Sequence, residues 1–208
     1  GHTGSVAIWE VLQSDAFELV GVRVYNEAKV GKDVGDLLGI EKTNIIATND
    51  VEKLLELECD CVIYTAHDEG TYHTDEEVLQ ILEAGKNIVT PLPYQNVQYF
   101  RDEAILAKLE AACKKGKSVL YGDGIDPHLI PNRILLGLTN GCADVKEIKL
   151  EENWDCCEVE AGPLQYIGFG LPPEEAEKIE VSKTMPKNFL NAVAYTAAKV
   201  LGVTYDRV

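Results

Sequence analysis

Residues 59–90 read CDCVIYTAHDEGTYHTDEEVLQILEAGKNIVT, and this stretch decides the fold. CDCVIYTA (59–66) is a nearly continuous apolar run, the pattern of a parallel strand buried on both faces. Thr74 or Asp75 then starts a helix whose Val78, Leu79, Ile81 and Leu82 recur at helical spacing and face inward, Gly85 ends it, and NIVT (87–90) is the next strand. Two strands joined by one helix argue for a right-handed βαβ crossover in a parallel sheet.

The same logic extends in both directions. After PLPYQN, a helix with Ile105, Leu106, Leu109 and Ala112 on one face is predicted from about Tyr99 to Lys115, stopped by Gly116. SVLYGDG (118–124) is a further strand and tight turn, and Pro127 or Pro131 opens a helix through Leu138. Upstream, Val6, Trp9 and Leu12, with Ile8 and Val11, mark a helix face beginning just after Gly4. ELVGVRVY (18–25) and NIIAT (44–48) read as strands, and Asn49 or Asp50 can cap the helix VEKLLEL. Alternating strands and helices give an α/β class with a doubly wound parallel sheet. The pattern changes after about residue 144. There VKEIKLEENW alternates like a half-exposed strand, EEAEKIE starts a charged helix after two prolines, and NFLNAVAYTAAKVLG is an amphipathic helix. These are the marks of the first part of a second domain. The expected division is therefore 1–126 and 127–208, in a chain that reads as truncated at both ends.

Composition narrows the function. Nineteen basic against 35 acidic residues give a formal charge of −16, with 46% hydrophobic and 26% charged residues. Such charge repels phosphate backbones and anionic lipid headgroups, so nucleic acid and membrane surfaces are poor partners, and a small molecule is a better one. No apolar run is long enough to span a bilayer and residues 1–20 lack a signal peptide's blocks, which points to the cytoplasm. Cys59, Cys61, Cys113, Cys142, Cys156 and Cys157 have no CxxC spacing, so reduced, mostly buried thiols and no metal site are expected. The charge opposes self-association but leaves a homo-oligomer open.

GHTG (1–4) opens into a helix, and the strand ending at Tyr25 follows about twenty residues on, where a dinucleotide fold holds its adenosine ribose. Gly1 would let a pyrophosphate approach the backbone, Gly4 would let the helix pack closely on the sheet, and His2 and Thr3 lie between them at the helix's positive end. An expression scar at Gly1 and His2 is the plainer alternative. At the ribose position stand Tyr25, Asn26 and Glu27, followed by Lys29 and Lys32. An amide with nearby lysines tolerates a 2′-phosphate, favouring NADP or dual use with NAD, although the lysines also suit a solvated loop. Ligands collect beyond the carboxyl ends of parallel strands, so Thr65, Ala66, Thr90 and Pro91 are candidates for the nicotinamide side. The GDGIDPH loop (122–128) contributes Asp126 and His128. His128 is either a proton donor or a side chain of the capping region, and His67 and His73 flank the polar loop DEGTY.

GHTGS, ELVGVRVYNEAKVGKDVGDLLG, CDCVIYTA, EAGKNIVT, YGDGIDPHLIPNRI and QYIGFGLPPEEAEK together resemble the dihydrodipicolinate-reductase-like superfamily, nearest to the branch of 2,4-diaminopentanoate dehydrogenase and the native amine dehydrogenases. The resemblance covers nearly the whole chain. It implies a Rossmann domain lacking its first strand, part of an α+β substrate domain, and an NAD(P)-dependent oxidoreductase. The hydride would pass between nicotinamide and a C=N or C=O carbon of a small metabolite. The chain departs from the family twice. The reductase's His-His pair is replaced by Glu151, Glu152, Asn153 and Trp154, and the amine dehydrogenases' glutamate after the strand ending at Thr90 is replaced by Pro91-Leu92-Pro93-Tyr94. Glu151 and Glu152, with Asp126 and His128, are the remaining candidates for catalysis. A cofactor-binding sensor without catalysis is the alternative function.

Overall fold

The computed structural model describes residues 1–68, 72–99, 101–153, 155–157, 164, 167–179 and 191–207. Trp154, Gln165 and Tyr166 of the motifs above, Glu180, and residues 188–190 at the front of the last expected helix lie outside the described residues, as do the side chains of Tyr99, Asp126 and Pro127. The chain divides into one unit of Gly1–Ala66, Asp75–Val89 and Leu109–Leu120, and a second of His67–Thr74, Thr90–Lys108 and Tyr121–Val208.

In the first unit, α1 (His2–Gln13) starts earlier than expected, because Ser5 N–H already closes onto the Gly1 carbonyl at 3.0 Å. Its expected inward face is also corrected: none of its residues is fully buried, and Val6 and Trp9 are exposed. Only Ile8 joins the cluster around Val22, Val34 and Ala47, with Leu19, Val24, Leu37, Leu38 and Ile45 against it. α2 (Val34–Leu38) is capped by Asp33, which accepts from Gly35 N–H at 2.7 Å, and α3 (Val51–Glu56) by Asp50, which accepts from Lys53 N–H at 3.1 Å. Asn49 instead donates from Nδ2 to Glu27 Oε1 at 2.8 Å.

The strands expected at 18–25 and 44–48 are reduced to a parallel bridge between Arg23 and Thr48, flanked by Val24 N–H to Thr48 O and Thr48 N–H to Val22 O. On its other edge the 45–47 segment bonds residues 32–34, through Val34 N–H to Ile45 O and Ala47 N–H to Lys32 O, again with a single bridge, between Asp33 and Ile46.

The βαβ unit forms as its sequence predicts. β1 (Cys61–Ile63) pairs in parallel with β2 (Asn87–Thr90), Val62 opposite Ile88, and β3 (Leu120–Gly122) completes the order β1-β2-β3. Between them α4 (Asp75–Glu83) buries Val78, Ile81 and Leu82. Gly85, at φ 81°, closes α4 with its N–H to Leu82 O and the Lys86 N–H to Ile81 O, a left-handed cap that suits glycine. α5 (Glu103–Gly116) buries Leu109 and Ala112. Gly116 is the last residue of α5 rather than its stop, and Lys117 takes the left-handed turn at φ 53°. Glycine is required at 116 for another reason: a Cβ there would lie 1.8 Å from Leu82 O. β1 is not buried on both faces. Val62 shares a side with fully buried Ile88, whereas Ile63 and Val89 share the other and are exposed, because no described element covers that side.

In the second unit, Tyr94, Gln95 and Leu136 are buried. A π-helix (Ile125–Leu135) runs into α6 (Leu136–Leu138), starting ahead of Pro127 and carrying Pro131 inside it. Proline cannot supply the N–H an α-helix needs there, and Leu129 N–H reaches the Gly124 carbonyl five residues back at 2.9 Å. The half-exposed strand expected in VKEIKLEENW is absent: residues 143–153 carry neither helix nor ladder, since no described strand lies beside them to supply hydrogen bonds. α7 (Pro173–Ala176) begins at the second of the two prolines, with Pro172 at its N-cap, and α8 (Asn191–Leu201) buries Ala192 and Ala197 and packs on the π-helix. The six cysteines form no disulfide, yet none is buried, and Cys61, Cys142 and Cys157 are exposed, against the expectation. Hydrophobic character alone does not bury Cys61, which sits on the uncovered side of β1.

Candidate functional site

The helix start in GHTG has the properties an anion needs. No side chain caps α1, its first turn holds no acidic residue, and an added Cβ at Gly1 would meet nothing within 4 Å. The first N–H groups of α1, on His2, Thr3 and Gly4, therefore face no competing side-chain acceptor. At Gly4 a Cβ would stand 3.0 Å from Thr65 Oγ1, so the helix passes close to the segment after β1, as the sequence predicts for a dinucleotide turn. Thr65 and Ala66 are half-buried there. These residues fit a pyrophosphate.

The adenosine-side loop is built by hydrogen bonds. Asn26 Oδ1 accepts from Ala28 N–H at 2.9 Å, capping the 3₁₀ turn Glu27–Lys29, so the amide's remaining capacity is to donate. Lys29 is half-buried on that turn. Behind it, the buried Asp33 carboxylate accepts from Gly35 N–H, Thr43 N–H and Oγ1, and Asn44 N–H. The Thr43 N–H bond leads in holding this carboxyl below its ordinary range; burial opposes it, and the other N–H bonds add to it. Asp33 thereby ties the segment that follows this turn to Thr43 and Asn44.

A cluster that the sequence did not announce adjoins Tyr25. Glu77 of α4 pairs with Arg23, and its Oε2 accepts from the hydroxyls of both Tyr25 and Tyr64 at 2.8 Å. The Arg23 guanidinium lies 4.5 Å from the Tyr25 ring centre. Glu77 and Tyr25 are 52 residues apart, and no local motif signals their meeting.

In the second unit Thr90 is fully buried, its Oγ1 accepting from Leu92 N–H at 3.1 Å and its carbonyl from Asp123 N–H at 2.9 Å, while Pro91 is exposed. The GDGIDPH loop holds the most organised polar group. Asp123 Oδ1 lies 2.8 Å from His128 Nδ1 and accepts from Gly124 N–H at 2.8 Å, and Arg133 stands 3.9 Å from Oδ2. Arg133 also donates to the Tyr121 hydroxyl, and the Tyr121 and His128 rings meet edge to face at 5.6 Å. Burial raises the Asp123 carboxyl, but the Gly124 N–H, His128 and Arg133 outweigh it and leave the group below its ordinary range. The backbone of Asp126 lies on the π-helix, its side chain outside the described part. Glu151 and Glu152 are exposed on the irregular segment, where Glu151 has only Asn153 at 3.4 Å and Lys149 at 3.8 Å. Of the predicted residues, Gly4 lies close to Thr65 within the first unit and His128 meets Asp123 within the second, where no described contact joins either glutamate to that pair. Asp123, Tyr121 and Arg133 escaped the sequence reading. The Asp-Gly after an apolar strand and five residues before a histidine was the available signal.

The parallel sheet with crossover helices and an uncapped glycine-flanked helix start define a Rossmann-type α/β protein. Residues 1–90 match the family model of dihydrodipicolinate reductase, N-terminus. An amine dehydrogenase of Streptomyces virginiae is 27% identical over 220 residues, covering 100% of this chain and 59% of that protein. The structure of an amine dehydrogenase from Mycobacterium smegmatis is similar with a TM-score of 0.83 at 20% identity, covering 98% of this chain and 60% of that one. Residues 1–90 are thus similar to the N-terminal part of dihydrodipicolinate reductase, and the whole chain is similar to amine dehydrogenases, spanning about three fifths of the length of these relatives. No described helix is long and apolar enough to cross a membrane.

Proposed function

We propose that this chain is the nicotinamide-binding part, with the beginning of the substrate-binding part, of a cytoplasmic NAD(P)-dependent oxidoreductase acting on the C=N (imine or amine) or C=O carbon of a small metabolite. The observation that carries this reading is the uncapped start of α1 at Gly1–Gly4, pressed against Thr65 at the carboxyl end of β1. The relatives named amine dehydrogenases support it. Gly1, His2, Thr3 and Gly4 would hold the pyrophosphate, Asn26 and Lys29 the adenosine ribose side, and Thr65, Ala66, Thr90 and Pro91 the nicotinamide. Residues 1–126 would form the cofactor domain and 127–208 the substrate domain, with Asp126, Glu151 and Glu152 offered to the substrate. The cofactor supplies a hydride when bound; the chain binds it, orients it and excludes water. NADP is favoured over NAD because the amide of Asn26 donates and Lys29 is cationic, and both suit a 2′-phosphate.

Fluorescence titration with NADPH and NADH tests this. NADPH should bind more tightly, and Lys29→Glu should weaken NADPH by about tenfold or more while leaving NADH within about twofold, one tenfold step being about 1.4 kcal/mol. Equal effects on both nucleotides remove the 2′-phosphate assignment. If neither nucleotide binds at about 1 mM, the oxidoreductase reading is removed.

A further inference from the structure

The geometry of the GDGIDPH loop points to one more role, resting on the reading above: we propose that His128 exchanges a proton with the substrate nitrogen or oxygen through Nε2, and that Asp123 is the positioning residue that fixes its imidazole. Asp123 Oδ1 is 2.8 Å from Nδ1. An ionised carboxylate can only accept, so Nδ1 carries the hydrogen and the neutral ring presents a bare Nε2. Among the described residues Nε2 has no hydrogen-bond partner. The pair is held from several sides. Gly124 N–H and Arg133 hold Asp123 as the anion, the Tyr121 ring packs on the imidazole edge, and fully buried Pro131 anchors the π-helix that carries His128. The His128 side chain is 16% exposed, sheltered enough to be oriented and open enough to reach a ligand. Both residues follow the carboxyl end of β3, the edge at which parallel sheets collect ligands, and π-helical turns recur at functional sites.

The chemistry balances. In the reductive direction a reduced nicotinamide supplies the hydride that forms the new C–H bond, and the C=N or C=O π pair goes to nitrogen or oxygen. That atom takes the proton from Nε2–H of the imidazolium, which becomes neutral imidazole and is reprotonated by water. In the oxidative direction neutral Nε2 removes the proton from the amine or alcohol as the hydride leaves carbon.

The first test needs no turnover. In ¹⁵N-labelled protein at neutral pH, imidazole NMR should show His128 as the Nδ1–H tautomer, and Asp123→Asn should break that exclusivity. A neutral imidazole that carries its hydrogen on Nε2 instead of Nδ1 in the wild type, or tautomers indifferent to Asp123→Asn, overturns the proposal. The second test measures NADPH-dependent reduction of imine and aldehyde panels. His128→Gln should lower kcat by about 100-fold or more and Asp123→Asn by about tenfold or more. NADPH affinity should stay within about twofold in both, and added imidazole should restore part of the rate in His128→Gly. Unchanged kcat in a folded His128→Gln variant overturns the inference while leaving the oxidoreductase reading intact. Absence of nucleotide binding by the wild type overturns that reading, and the catalytic role with it.

Discussion

Replacing Gly116 by alanine should destabilise the chain, although alanine is normally the better helix residue by about 1 kcal/mol. The Cβ would be built 1.8 Å from Leu82 O and 2.9 Å from Gly85 N, both backbone atoms, whereas real Cβ contacts essentially never fall under 3.0 Å. The end of α5 must therefore retreat from the end of α4 by roughly 1 Å, since rotating a side chain cannot relieve a clash with backbone. Two bonds converge on that carbonyl, Ser118 Oγ at 2.8 Å and Gly85 N–H at 3.0 Å, and such a shift stretches at least the first past useful length at about 1 kcal/mol. Overpacking adds about 1–3 kcal/mol, so the net loss after the helix gain is about 2 kcal/mol. In urea, with a slope of about 2 kcal/mol per molar, the midpoint should fall by about 1 M at unchanged slope. Gly137→Ala is the internal control. It lies in α6, an added Cβ meets nothing within 4 Å, and it should leave the midpoint unchanged or slightly raised. Equal behaviour of the two variants would refute the close approach of α5 to α4.

The remaining predictions concern titrating groups. Asp33 lies below its reference value of 3.8 in the fold, so the stability it contributes is present above that value and is lost as pH falls through the folded one. Asp33→Asn should lower the melting temperature at pH 7, with the gap to wild type closing in the acid melts below about pH 4. Exposed Cys157 should alkylate sluggishly at pH 8, because the Asp155 hydrogen bond, then burial, then Cys156 raise its thiol. Asp155→Asn should speed iodoacetamide labelling at that residue several-fold, roughly in proportion to the added thiolate, as read by mass spectrometry.

The parts of the fold legible in the sequence are those whose signal is local. Val78, Ile81 and Leu82 recur at helical spacing before Gly85, and they bury themselves wherever α4 lies; Gly85 needs a left-handed turn in any context. Neighbours decide the rest. Val6 and Trp9 carry the same periodicity as α4, yet nothing in it says whether a sheet will cover them. VKEIKLEENW alternates as a strand does, but alternation supplies no partner for its N–H and C=O groups. At the candidate site the close approach of Gly4 to Thr65 was readable, because a small residue near a helix start is a local signal, whereas the strand expected to end at Tyr25 keeps only the bridge at Arg23. The Asp123–His128 pair was not readable, because helical side-chain rules join residues three or four apart and the five-residue reach comes with a π-wound segment. Glu77 was beyond reach because the contact with Tyr25 exists only after the chain has folded.

The first unit is assembled from Gly1–Ala66, Asp75–Val89 and Leu109–Leu120, so the chain departs from it and returns to it twice. During synthesis β2 therefore emerges before its bond from Ile88 N–H to Val119 O can form, and Leu82 before Ser118 can reach its carbonyl. Residue 120 must clear the ribosome before the unit can close, so until then the half-made sheet has an unpaired edge rather than a folded domain's closed one. Cutting the gene at the end of its family match, residue 90, would leave the nascent unit in that same unfinished state permanently.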